Sequence, residues 1–237
     1  MRTLVSSSVL LFLMAAPVAA QDVLTEIGQG GSLSGTAIQM FLLITVLSLA
    51  PGIAIMVTCF PFVVTVLAIL RQAIGLQQSP PNMLLISLAL FLTYFVMDPI
   101  FKEAWSSGVV PFLDEEIELE LALAQSYVPF EGFMLQRVDP DNIHALQELR
   151  NDPLGSDPTP SILIPAFMLS EIARAFQIGF LVFLPFLIID LVVAAVLMSM
   201  GMMMVPPAVV SLPFKLSFFV LADGWRLISE GLVRSYF

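Results

Sequence analysis

The sequence is poor in the residues that do chemistry. It holds one cysteine, Cys59, and one histidine, His144. A single cysteine closes no internal disulfide, and its place inside an apolar run reads as a buried structural thiol. No group of His, Cys and carboxylates has metal-ligand spacing. No glycine-rich phosphate loop follows a strand, and no serine or cysteine sits in a nucleophile motif. The chain therefore reads as a non-enzyme, with no metal and no cofactor implied. Charge is scarce too: 12% of 237 residues are charged, with a net charge of −10. An acidic chain has no electrostatic reason to seek nucleic acid.

What is present in excess is apolar surface. Hydrophobic residues make up 58% of the chain, the profile of an integral membrane protein. Residues 1–20 read as a cleavable signal peptide: Arg2, a short apolar stretch from Val9 to Ala16, then Val18-Ala19-Ala20 before Gln21. Residues 21–39 form a flexible Gly- and Ser-rich lead. Residues 40–98 form a first hydrophobic helical hairpin, broken by Pro51-Gly52 and Pro61. Those breaks free backbone groups that lipid cannot satisfy, so kinked helices packed on other helices are expected. Pro99 reads as the stop of this region.

Residues 99–160 differ in character. From Ile100 to Pro160 there are twelve acids and three bases, with a dense run at Asp114, Glu115, Glu116, Glu118 and Glu120. Interleaved leucines and alanines favour helix. The shortage of Lys and Arg fits the periplasmic side of a bacterial inner membrane. A solvated connector and a partner-facing surface both fit this run.

Residues 161–237 form a second hydrophobic hairpin and a tail in which Trp225 and Tyr236 suit an interfacial position. Between its apolar segments lies Gly201-Met202-Met203-Met204-Val205-Pro206-Pro207. Glycine frees the backbone and two prolines deny it helix hydrogen bonds, so a constrained loop is expected. Three unbranched, polarisable thioethers make a soft apolar surface that suits either a padded turn or a seal against water. Asp190 and Lys215 lie inside the flanking apolar segments, where each costs at least about 2 kcal/mol if it faces lipid. Asp190 pairs with Lys215 within one subunit, Lys215 pairs with Glu171 within a subunit or across an interface, or Asp190 carries protons; the residues alone leave all three open. The fold class is all-α: kinked, Pro-broken helical hairpins of membrane type with a helical periplasmic region.

Several ordered blocks carry a resemblance. Leu70-Arg71-Gln72-Ala73-Ile74-Gly75, followed by Gln77-Gln78-Ser79-Pro80-Pro81-Asn82, resembles a signature of the FliP family of flagellar type III export-gate proteins. Ile164-Pro165-Ala166-Phe167, Pro185 through Val192, Gly201 through Pro207 and Leu212-Pro213-Phe214-Lys215-Leu216 resemble further family blocks. The resemblance covers about residues 40–98 and 160–230. It implies a homo-oligomer, a pentameric spiral, built with FliQ-like and FliR-like subunits and working beside FlhA-like and FlhB-like components. It implies passage of unfolded flagellar subunits and a place in the inner membrane at the flagellar basal body. By the same resemblance Met202, Met203 and Met204 line a pore gasket, while Gly201, Pro206 and Pro207 set the loop geometry. Glu171 and Lys215 fall on an intersubunit charge pair, and Phe133, in Gly132-Phe133-Met134-Leu135, falls on a subunit contact. The family's kinked hairpins sit higher than hydropathy suggests. Phe60-Pro61-Phe62 stands where the family often has Phe-Thr-Arg. The rival readings are an injectisome homologue and, from another class, a small ion-coupled transporter using Asp190.

Overall fold

The computed structural model describes residues 35–76, 79–150, 157–202 and 204–237. The signal peptide and most of the expected lead lie outside the described residues, as do Gln77, Gln78 and Met203. The described residues are helical, without strands. The chain divides into two compact units, Met1–Pro51 and Gly52–Phe237, and the packing described below is that of the second. Helix α1 (Gly35–Met56) contains Pro51. After a break at 57–59, α2 (Phe60–Ile74) restarts with Pro61 in its first turn, where a missing N–H costs nothing.

Helix α2 is the centre of the fold. Phe62, Val63, Val66, Leu67, Leu70, Ala73 and Ile74 are all buried, a spacing that wraps most of the helix in protein. At 15 residues it is about 22 Å long, short of the roughly 30 Å hydrocarbon layer. Helix α3 (Asn82–Ala104) packs Leu85, Ala89, Val96 and Met97 against it. The stop expected at Pro99 does not occur, and the helix runs on through it to Ala104. One proline removes one ladder bond, and the packing of α3 on both α2 and the next helices outweighs it. A π turn at Trp105–Val109 leads into the short α4 (Val110–Leu113).

The acidic region is helical, as expected: α5 (Leu119–Arg137) and α6 (Pro140–Arg150). Both pack on α7 (Pro160–Ser199), a single continuous helix. Pro165 and Pro185 lie inside it. Its 40 residues span about 60 Å, twice the hydrocarbon thickness. A good part of α7 must therefore stand outside lipid. Gly179 lets α2 approach closely: a Cβ there would lie 2.4 Å from Ile69 Cδ1. Helix α8 (Pro207–Leu221) returns along α7, and α9 (Gly224–Arg234) turns away from α8 by 62° at Asp223. Among the described residues, two helices are long and apolar enough to cross a membrane, or three if α8 and α9 together form one span.

Candidate functional site: a methionine turn and two buried charge clusters

The methionine loop is held by a defined helix ending. Gly201 has φ +77°, a left-handed conformation that a side chain would strain. Its N–H donates to Met198 O at 3.1 Å, and the Met202 N–H donates to Leu197 O at 2.9 Å. This pair of bonds is the Schellman ending of a helix, and it satisfies carbonyls that α7 would otherwise leave open. Pro206 then lies in extended backbone before α8. The turn holds two thioethers outside the protomer: Met204 is 98% exposed and Met202 46%. Met198 and Met200 are exposed beside them, which the sequence reading did not single out. Their signal is the alternation of Met198, Met200 and Met202 into the loop. An apolar groove of about 660 Å³ runs up from the turn between α7 and α8, walled by Ile189, Val193, Leu197, Met200, Val210 and Phe214.

One charge cluster braces the hairpin that carries this turn. Lys215 Nζ lies 2.6 Å from Asp190 Oδ2. Ser211 Oγ donates to Asp190 Oδ1 at 2.5 Å. Lys215 also donates to Ala73 O at 3.1 Å, in the last turn of α2, where an ammonium meets the negative end of the helix. Gly75 caps α2 in the left-handed conformation at φ +91°. The bonds join α7, α8 and α2 at one point. Asp190→Asn would leave Lys215 buried without its counter-charge; because the Asp190 side chain is 30% exposed, the cost falls below that of a fully buried pair, to about 2 kcal/mol. Melting of the detergent-solubilised protein should show that loss, and Asp190→Asn with Lys215→Met together should recover most of it.

The second cluster surrounds Glu171, whose side chain is fully buried. Its Oε1 accepts from Arg137 Nε and Arg174 Nη1, each at 3.2 Å. Its Oε2 accepts from the Tyr236 hydroxyl. Arg137 also donates to Ser235 O at 2.7 Å, and its guanidinium lies 3.9 Å over the Tyr236 ring. Burial, then the Glu171 carboxylate, pushes the Tyr236 phenol far above its ordinary range, so it stays a donor. Tyr236 is half-buried, with its hydroxyl turned to a carboxylate inside the protein. Arg137 had no role in the sequence reading. It lies 34 residues from Glu171, and only the fold joins them.

The pairing of Glu171 with Lys215 does not form within the protomer. Each is buried with other partners, Lys215 on Asp190 and Glu171 on two arginines and a phenol. Phe133 also turns inward, with ring centroids 5.8 Å from Phe167 and 6.0 Å from Tyr236. It remains partly exposed, and the neighbouring Gly132 has nothing within 4 Å of where a side chain would start.

Comparison with known proteins agrees with the blocks read from the sequence. Residues 43–232 match the FliP family. A flagellar biosynthetic protein FliP from Caulobacter vibrioides is 53% identical over 225 residues, spanning 94% of this chain and 85% of its own length. The protein of that name from Agrobacterium fabrum is 47% identical over 211 residues, spanning 87% of this chain and 86% of its own. That from Bacillus subtilis is 44% identical over 210 residues, spanning 85% of this chain and 92% of its own.

Proposed function

The chain belongs to the FliP family, and from that membership we propose that several copies assemble into the core of the flagellar protein export gate, closed by their methionine turns. Membership makes it a membrane component of the flagellar export apparatus and not an enzyme. In the proposed gate, Met202, Met203 and Met204 of neighbouring copies meet around a lumen. Thioethers make apolar contact without demanding a particular sequence, so an unfolded chain pushes past them while water and ions are held back. FliQ-like and FliR-like subunits complete the core, and the energy for transport comes from other parts of the machine.

The observation that carries this reading is the exposure of Met204, 98% free on a turn braced by a Schellman ending and by two prolines. Such a surface is costly in water and needs a cover. A padded turn inside one protomer would have tucked it in. Converting all three methionines to alanine removes Cγ, Sδ and Cε from each and should leave assembly intact while ions leak through. Conductance, or sodium sensitivity of expressing cells, measures the leak. An assembled complex with no added leak would refute the gasket.

A further inference from the structure

We propose that Ser235 and Tyr236 form a moving clasp over the Glu171–Arg137 site, and that its opening admits solvent to the junction of α2, α5 and α7. This inference is independent of the gate reading. The two clasp residues themselves lie beyond the stretch that matches the family, which ends at 232.

The clasp is the only piece of chain after α9 that holds the junction shut among the described residues. Ser235 O takes a hydrogen bond from Arg137 on α5. The Tyr236 hydroxyl reaches Glu171 on α7. The Tyr236 ring meets Phe62 of α2 edge-on at 5.5 Å and stacks on Phe133 of α5 at 6.0 Å. Two residues thus touch three helices. Phe237, next along, is 80% exposed and adds no cover.

Closure is also incomplete, which makes it reversible. Arg137 Nη2 is buried in the closed site without a hydrogen-bond partner. A buried donor left unpaired penalises the state that buries it. Opening the clasp lets water reach that N–H, so part of the free energy lost from the phenol and ring contacts returns. A short segment held by few contacts, with a penalty on its closed form, opens more readily than the whole fold.

Cys59 lies beneath the clasp and reports its state. It is 0% exposed and shares the core cluster on which Tyr236 packs. As the only cysteine, it gives one labelling signal. Maleimide labelling of the purified full chain in detergent is compared for the parent, Tyr236→Phe and Asp190→Asn. Tyr236→Phe keeps the ring and removes only the bond to Glu171, so it separates a moving clasp from a fixed plug. It should label about tenfold faster, since a hydrogen bond to a charged group is among the stronger ones. Asp190→Asn weakens the fold elsewhere and should label at the parent rate. Equal rates for Tyr236→Phe and the parent would overturn the clasp. So would an equal acceleration in Asp190→Asn, because labelling would then follow general unfolding.

Discussion

Glu171→Ala should lower the stability of the protomer by about 3–5 kcal/mol, the usual loss when one member of a buried ion cluster is removed. In a chain of this length that corresponds to roughly 10 °C of melting temperature. The size follows from what remains. The Arg137 side chain is only 14% exposed and would keep its charge with no carboxylate to face. The Tyr236 hydroxyl would lose its acceptor in a place where burial prevents ionisation. Arg174 is 35% exposed and can turn to water, so it adds little. Glu171→Gln keeps an acceptor oxygen and the shape of the site, and should lose clearly less than alanine. Thermal melting of the detergent-solubilised protein followed by circular dichroism measures both. A loss below about 1 kcal/mol for alanine would mean that the cluster is in contact with water.

Gly108→Ala should be nearly as damaging for a different reason. Gly108 sits in the π turn after α3, against the side of α5. A Cβ there would lie 2.0 Å from Ser126 Oγ, 2.5 Å from Ala122 O and 2.8 Å from Ser126 N. The hydroxyl can rotate away, but the other two atoms are backbone, so α5 itself must shift. Overpacking of this kind costs about 1–3 kcal/mol and sometimes more. The same change at Gly132, inside α5, meets nothing within 4 Å. There it removes a flexible residue from a helix and should stabilise the protomer by up to about 1 kcal/mol. Opposite signs for one chemical change at two helix positions would show that contact distance, not helix propensity, decides. Matching losses at both would contradict the close packing of the π turn on α5.

The sequence by itself determined the class of this protein and much of its local form. Abundant apolar residues and few charges fixed a helical membrane protein. Prolines and glycines are read locally, so the turn at Gly201–Pro207 and the break before α2 were both visible in the order of residues. The signature blocks were legible for the same reason, since they are contiguous. Where local signals competed with packing, the sequence misled. Pro99 argues for a helix end, yet neighbouring helices carry α3 through it.

Only the tertiary structure decided the partners of the buried charges. Asp190 and Lys215 are 25 residues apart, and Arg137 and Glu171 are 34 apart. Each pairing depends on which helices lie side by side and at what height. Composition and periodicity report which face of a helix is apolar, but not its neighbour. A buried charge takes whichever opposite charge the fold brings within reach, because leaving it alone costs several kcal/mol. That is why Arg137, which the order of residues did not connect to Glu171, lies against it in the fold.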